Sequence, residues 1–230
     1  MKQILLSLRW LVTLLGGLSM GLFCAVLGPL DRSKRKILKA CYYFARIFLP
    51  IAGIRIQVSG LQHIDPKSNY IVCSNHQGIF DIFTLMGTLP LPLRFVSKPS
   101  YFKIPFIGWG MRGVGHIEIT RTHKERDRKT LDELVKLVKE GASIVMFPEG
   151  TRTRDGKVGP FKFGAFYVAV HSGIPILPVT IQGSFERMRK GKRLPEPGRI
   201  SLKIQGPISP SGQTVESLCD DTRKVILSNF

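Results

Sequence analysis

Residues 70–81 form the sequence YIVCSNHQGIFD, in which an apolar run ends abruptly at a polar turn. The first four residues are aromatic, β-branched or small and apolar, which is typical of a buried strand. Ligands of α/β proteins bind at the loops that follow the carboxyl ends of sheet strands. The polar turn after residue 73 is therefore the first candidate site.

The same arrangement recurs along the chain, because short β-branched or aromatic runs alternate with helical patterns from about residue 55 onward. The runs predicted as strands are residues 54–58, 70–73, 94–97, 116–119, 143–147, 176–181 and 200–204. The clearest predicted helices are residues 124–140 and 161–172, and Gly141 and Gly173 stand where their C-terminal caps belong. This alternation predicts an α/β fold, a sheet with helices packed on it.

Two residues of the opening stretch, His76 and Asp81, have the chemistry of a general-base pair. A carboxylate next to a histidine fixes the tautomer of the ring and stabilises the imidazolium when the ring takes a proton. On an ideal helix, a spacing of five would separate the two by about 140°. We therefore expect His76 on the strand-to-helix turn and Asp81 in the first turns of the helix, with Asn75 as its cap. The alternative is a polar turn whose histidine is only solvated.

A second polar stretch, FPEGTR at residues 147–152, also follows a predicted strand. Gly150 lets the backbone approach a ligand closely, and Arg152 offers a planar fork for a phosphate group. Glu149 can hold that arginine or a substrate hydroxyl. The alternative here is a surface turn with an ion pair.

The two stretches together resemble a known family. Asn75-His76-x4-Asp81, followed about seventy residues later by FPEGTR, resembles the glycerolipid acyltransferases, specifically the 1-acylglycerol-3-phosphate acyltransferases. Residues 115–121 (GHIEITR) resemble the second block of that family and residues 174–179 (IPILPV) the fourth, so the resemblance covers roughly residues 55 to 205. Glu118 departs from the second block, where an apolar or another polar residue is common. The resemblance implies a glycerol-3-phosphate acyltransferase-like fold, an α/β mixed sheet flanked by helices.

The activity that the resemblance implies is acyl transfer from a thioester, acyl-CoA or acyl carrier protein, to the free hydroxyl of a lysophospholipid. Lysophosphatidic acid is the leading acceptor, and phosphatidic acid would be the product. His76 would remove the hydroxyl proton and Asp81 would orient His76, so no serine or cysteine nucleophile is needed. Another acceptor, such as a lyso-ornithine lipid, stays open. A non-catalytic basic module that binds anionic lipid or nucleic acid by charge alone is the remote alternative.

The resemblance also implies a set of substrate-binding residues. For the phosphate of the acceptor, Arg152 and Lys98 are favoured over Arg121, although Lys98 and Arg121 could equally be solvated surface cations. Backbone N–H groups near Gly150 are expected to face the developing oxyanion. We expect no cofactor beyond the thioester co-substrate and no metal, since the sequence has no glycine-rich nucleotide loop and no cluster of metal ligands. The expected substrate-binding residues are Lys98, Arg121, Glu149, Gly150, Thr151 and Arg152.

Composition narrows the class of partner. The 230 residues are 43% hydrophobic and include 14 phenylalanines, which excludes a disordered basic tail. The net charge of +18 implies a polyanionic partner. With the resemblance, we expect an anionic membrane surface and no nucleic acid. The four cysteines are scattered without C-x-x-C spacing, which favours a reducing compartment over a disulfide framework.

The amino-terminal part predicts a membrane anchor. Residues 10–30 contain no charged side chain, and as a helix these 21 residues would extend roughly 32 Å, enough to cross a bilayer core of about 30 Å. Five cations follow within residues 32–39, which places the larger part of the chain on the cytoplasmic face. A helix hairpin lying in one leaflet is the alternative to a span. We therefore predict membrane-anchoring helices over residues 1–50 and a catalytic domain over residues 51–230.

Overall fold

A mixed sheet forms the centre of the molecule. The computed structural model describes residues 2–120, 124–188 and 195–230. Within these ranges the sheet has seven strands: β1 (Ile54–Ser59), β2 (Ile71–Ser74), β3 (Leu93–Ser97), β4 (Ile117–Glu118), β5 (Ser143–Met146), β6 (Ile176–Gln182) and β7 (Gly198–Ile204). The seven predicted strands are confirmed, with ends that shift by at most two residues.

The spatial order of the strands is β1-β7-β6-β2-β5-β3-β4. Neighbouring strands are parallel except β6 and β7, so β1 and β7 run opposite to the other strands. In the register of the central strands, Val72 lies beside Val145 of β5 and Leu177 of β6. The loops after β2 and β5 therefore leave the same edge of the sheet next to each other, which is the edge where the two polar stretches lie.

Helices cover both faces of this sheet. Their bounds are α1 (Lys2–Leu27), α2 (Arg35–Ile51), α3 (Phe80–Thr88), α4 (Pro99–Phe102), α5 (Ile107–Gly113), α6 (Lys124–Lys139), α7 (Gly164–Ser172), α8 (Ser184–Arg187) and α9 (Val215–Ser228). The predicted helix over residues 124–140 is confirmed as α6. Helix α7 begins three residues later than predicted, because the Lys162 N–H donates to the Pro148 carbonyl (2.8 Å) and ties this segment to the loop after β5. Helix α9 was not predicted, and it begins at a capping box formed by Thr214 and Ser217.

The two faces of the sheet have separate apolar cores. Along β2, Val72 packs under α2 and α3, whereas its neighbours Ile71 and Cys73 pack under α6, α7 and α9. All three side chains are fully buried. This alternation follows from the two-residue period of a strand whose two faces are both covered, and explains why β2 is apolar throughout.

Helices α1 and α5 pack closely because each contributes a glycine to the contact, Gly21 from α1 and Gly110 from α5. A Cβ atom on Gly110 would lie 2.7 Å from the carbonyl oxygen of Gly21, and one on Gly21 would lie 2.7 Å from the carbonyl oxygen of Phe106. Only residues without a side chain allow the two backbones to approach this closely. Helix α2 in turn packs against α3. The predicted division of the chain at residue 50 stays a prediction, and the two amino-terminal helices lie against the rest of the fold.

The outer side of α1 is apolar and exposed. The segment Ser7–Leu30 is long and apolar enough to cross a membrane, and its buried residues are Thr13, Cys24 and Gly28. Leu11, Leu15, Leu22 and Val26 are among the exposed side chains. The structure thus contains the apolar amino-terminal helix that the sequence predicts, with one side packed on α5 and another side open.

We expect Gly110→Ala to destabilise the protein, because the added methyl group would meet the backbone of α1. Such overpacking typically costs about 1–3 kcal/mol, which corresponds to a fall in Tm of roughly 2–10 °C for a chain of this size. The matched control is Gly17→Ala, since a Cβ at Gly17 has open space around it. Thermal unfolding in detergent checks both variants, and an unchanged Tm in Gly110→Ala would show that the helix contact is not tight.

Candidate active site

The His76 side chain and Asp81 form a hydrogen-bonded pair. The His76 Nδ1 and the Asp81 Oδ2 are 2.7 Å apart, and Asp81 is fully buried. His76 lies on the turn after β2 and Asp81 in the first turn of α3, as predicted. The same carboxylate oxygen also accepts the backbone N–H groups of Gln77 (2.7 Å) and Gly78 (2.8 Å). With Nδ1 held by the carboxylate, the second ring nitrogen, Nε2, is left for a substrate.

Asn75 has a different role from the predicted one. Its side-chain amide donates to the carbonyl of Ile181 in β6 (2.8 Å), and its Oδ1 accepts the N–H of the same residue (2.8 Å). No side-chain cap is formed at the start of α3. The expectation of an Asn75 cap was wrong because the side chain is buried and points to the neighbouring strand, where it replaces missing backbone hydrogen bonds and fixes the start of the turn.

The loop after β5 holds the backbone of His76. The Glu149 Oε1 accepts the His76 N–H (2.7 Å), and the His76 carbonyl accepts the N–H of Thr153 (2.9 Å). The second oxygen of Glu149 accepts the N–H of Gly159 (2.9 Å). The ring of His76 stacks on Phe147 with the ring centroids 3.9 Å apart. The histidine is therefore positioned by its side chain and by its main chain.

Glu149 is thus a structural acceptor, and the geometry of the described residues includes no ion pair between it and Arg152. A contact between Glu149 and a substrate hydroxyl stays a prediction. Burial raises the pKa of the Glu149 carboxyl above its ordinary value, and the N–H groups of Gly159 and His76 oppose that shift. A buried carboxylate without hydrogen-bond partners is costly, and the backbone N–H groups of the two loops supply those partners to Glu149. The sequence shows no sign of this bond, because Glu149 and His76 are 73 residues apart.

A cavity of about 500 Å³ opens beside the pair. Its polar end is lined by His76, Lys98, Gly150, Thr151 and Arg152, so the structure brings together five of the predicted site residues. Arg121 lies outside the described residues. The remainder of the wall is mostly apolar, and the larger part of it comes from α1, α2, α3, β3 and α5. A polar end with a histidine and two cations, joined to a long apolar section, suits a substrate that is itself charged at one end and apolar at the other.

The N–H of Gly150 is engaged in the turn. It donates to the carbonyl of Phe147 (2.9 Å), and Gly150 adopts a left-handed backbone conformation with φ of 74°. The N–H of Gly150 itself is therefore already engaged, and the expectation that backbone N–H groups near Gly150 face the developing oxyanion stays a prediction. The glycine instead allows the tight turn that brings Thr151 and Arg152 to the cavity.

His116 forms a polar point in the apolar part of the cavity wall. Its Nδ1 lies 3.2 Å from the backbone N of Phe95 and accepts that N–H. Burial lowers the pKa of His116 to about 3, and the positive charge of Arg94 acts in the same direction. A lowered pKa favours the neutral ring at neutral pH, which is the form that can accept the Phe95 N–H at Nδ1.

Metal ligation was not expected from the sequence. Across residues 2–120, 124–188 and 195–230, no group of three or more histidine, cysteine, aspartate or glutamate side chains is arranged to hold a metal ion. The absence of a metal in the reaction stays a prediction.

Comparisons with known proteins agree with this geometry. A family model described as Acyltransferase matches residues 55–182. The chloroplastic 1-acyl-sn-glycerol-3-phosphate acyltransferase BAT2 of Brassica napus is 35% identical over 206 residues, which is 87% of this chain and 58% of that protein. The mouse 1-acyl-sn-glycerol-3-phosphate acyltransferase alpha is 32% identical over 213 residues, 90% of this chain and 73% of that protein. The chain spans about half of the length of the plant and algal relatives that it matches.

A solved structure is also similar. The crystal structure of the 1-acyl-sn-glycerophosphate (LPA) acyltransferase PlsC from Thermotoga maritima has a TM-score of 0.85 and 28% sequence identity, and the match covers 99% of this chain and 93% of that one. The match extends over the amino-terminal helices as well as the sheet. Taken with the family model, which matches more than half of the residues, these relatives show that the chain belongs to the acyltransferase family.

Proposed function

We propose that this chain is a 1-acyl-sn-glycerol-3-phosphate acyltransferase, which transfers an acyl chain from a thioester to the sn-2 hydroxyl of lysophosphatidic acid and forms phosphatidic acid. The observation that carries the proposal is the His76–Asp81 pair at 2.7 Å, set where an apolar cavity meets two cations. The names of the relatives in Brassica napus and mouse support the same reaction.

In this reaction His76 acts as the general base. Its Nε2 takes the proton of the acceptor hydroxyl while the hydroxyl oxygen attacks the carbonyl carbon of the thioester. The carbon–sulfur bond then breaks, and the departing thiolate receives the proton from the imidazolium. Asp81 stabilises the imidazolium through the 2.7 Å hydrogen bond to Nδ1. The acyl group passes directly between the two substrates, so no acyl-enzyme is formed.

The cavity accounts for the two ends of the acceptor. Arg152 and Lys98 face its polar end and would bind the phosphate group of lysophosphatidic acid. The wall that α1 contributes runs from Trp10 to Cys24, roughly 21 Å along a helix, against about 15 Å for half of a bilayer core. The apolar section is therefore long enough to hold one acyl chain of a membrane lipid. Acyl-CoA and acyl carrier protein both present the required thioester, and either can be the donor.

A panel of substrates tests the proposed reaction. Full-length protein in detergent is incubated with lysophosphatidic acid, a lyso-ornithine lipid or lysophosphatidylethanolamine, each with acyl-CoA and with acylated acyl carrier protein, and products are identified by mass. We expect phosphatidic acid as the main product. Preferential acylation of another lysolipid would reassign the acceptor, and no product from any pair would overturn the proposal.

We predict that His76→Ala lowers kcat by about 10²–10⁴-fold, because the general base is removed while the fold keeps its core. Asp81→Asn should also cripple turnover, since the carboxylate that stabilises the imidazolium is lost. The control is His171→Ala, which changes an exposed histidine of α7. Steady-state rates and circular dichroism are measured together. A folded His76→Ala protein with a near-normal rate would refute the mechanism.

Arg152→Lys should raise the KM for lysophosphatidic acid by roughly tenfold or more and change the KM for the donor little. The lysine replaces a planar, two-pronged donor with a point charge, so one charge-assisted hydrogen bond to phosphate is lost. Arg154→Lys is the matched control, because Arg154 is exposed two residues further on. Equal increases in both KM values would contradict the assignment of Arg152 to the phosphate.

We further propose that the outward side of α1 inserts into lipid, with the catalytic part on the cytoplasmic face. The exposed apolar side chains of α1 and the cations after it support this arrangement. The net charge of +18 favours an anionic membrane surface as the partner.

Substitution of two outward residues, Leu15→Lys together with Val26→Lys, should weaken membrane attachment. These side chains are 56% and 60% exposed, and neither lines the cavity. Placing a lysine in hydrocarbon costs about 2.5–3.5 kcal/mol at the centre of a bilayer. We expect wild-type protein to stay on membranes in high salt and the double variant to wash off. The control is Leu227→Lys on α9, and loss of wild-type protein in the same wash would exclude insertion.

A further inference from the structure

A second cavity, of about 400 Å³, lies at the opposite edge of the sheet from His76. Its wall is formed by the loop before α2, by the amino-terminal ends of β3 and β5, and by the end of α6. The catalytic loops follow the carboxyl ends of β2 and β5, so this cavity shares no lining residue with the proposed active site. Its occupant would therefore be independent of the acceptor and the donor.

The charge of this second cavity is unbalanced. Three arginines line it, Arg32, Arg35 and Arg94, against one carboxylate, Glu140. Among the residues that the structure describes, no carboxylate lies within ion-pairing distance (4.0 Å) of any of these arginines. The excess of two positive charges thus faces the open space of the cavity.

Arg94 differs from the other two arginines, because its side chain is half-buried whereas Arg32 and Arg35 are exposed. Burial lowers the pKa of its guanidinium, and the nearby Glu140 carboxylate opposes that shift. The side chain makes no hydrogen bond to any part of the chain within the described ranges. A guanidinium that has lost part of its water and has gained no direct partner lowers stability unless a ligand supplies the missing charge.

The remaining charged groups near the cavity are already engaged. The side chains of Lys34 and Arg94 both lie next to Gly115, within 4 Å of where a Cβ on that glycine would stand. The Lys34 ammonium donates to the carbonyl of Gly28 (2.6 Å), which is a neutral partner. Asp31 accepts the N–H of Ile37 (3.0 Å) and so satisfies the start of α2. Neither group neutralises Arg94, and Lys34 adds to the positive field.

We propose that this cavity is a second anion-binding site, which takes the phosphate group of an anionic phospholipid. Arginine guanidinium groups match the paired oxygens of a phosphate, and three arginines line this cavity. The source of the phosphate follows from the surroundings: Leu27 and Leu30, which end the apolar segment, are 40% and 78% exposed beside Arg32. A headgroup in the cavity would therefore leave its acyl chains next to an apolar surface.

The test measures the Tm of full-length protein in a non-ionic detergent. All variants carry Arg152→Ala, so that phosphate at the proposed acceptor site does not contribute. The additions are inorganic phosphate, phosphatidylglycerol, or diacylglycerol as the lipid that has no phosphate. Arg94→Gln is compared with Lys203→Gln, which removes an exposed cation from β7.

We expect phosphatidylglycerol, but not diacylglycerol, to raise the Tm of the parent and of Lys203→Gln by roughly 5–10 °C at a hundredfold excess over its Kd. In Arg94→Gln the shift should disappear, and without lipid its Tm should equal or exceed that of the parent. If Arg94→Gln does not fold, Arg32→Gln with Arg35→Gln at the exposed mouth should abolish the same shift. If inorganic phosphate raises the Tm and phosphatidylglycerol does not, the cavity binds an anion but the lipid is overturned as its occupant. Equal shifts in Arg94→Gln and the parent, a lower Tm of a folded Arg94→Gln protein without any anion, or an undiminished shift in the variant with Arg32→Gln and Arg35→Gln would overturn the proposal.

Discussion

The hydrogen bond between the Glu149 carboxylate and the backbone N–H of His76 joins the two loops from which the site is built. The loops follow neighbouring parallel strands, so the sheet brings them close, but closeness alone does not orient a ring. Glu149 holds the main chain of His76 from the side of β5, while Asn75, the residue before His76, is anchored by its side chain to the backbone of Ile181 in β6. Only a backbone fixed on both sides lets Asp81 meet the ring at one nitrogen and leave the other open.

Local patterns in the sequence were sufficient for the strands and for most residues of the candidate site. Each strand is a short run rich in apolar residues, and His76, Asp81 and Arg152 belong to the polar stretches that follow β2 and β5, where α/β sheets carry their sites. The amphipathic period of α6 was visible for the same reason. These features depend on neighbours in the chain, which a single sequence displays.

The features that escaped prediction depend on partners far apart in the chain. Asn75 meets Ile181 across 106 residues and Glu149 meets His76 across 73, and neither spacing has a local signature. Helix α9 is an exception, because its capping box is a local signal that was not recognised. Its apolar stripe is short, and most of its other side chains are polar or charged. The role of α1 as a cavity wall was also missed, because composition reports how apolar a helix is and not what its two sides contact.

Helix α1 both lines the cavity of the candidate site and presents an exposed apolar surface, and under the proposed attachment this double role would govern how substrate arrives. A lysolipid can move sideways from the bilayer into the cavity without its acyl chain entering water. The encounter is then a search in two dimensions, and the concentration that matters is the fraction of lysolipid among the lipids of that leaflet. Diluting the substrate with inert lipid would slow turnover even at constant bulk concentration, which is the behaviour known as surface dilution.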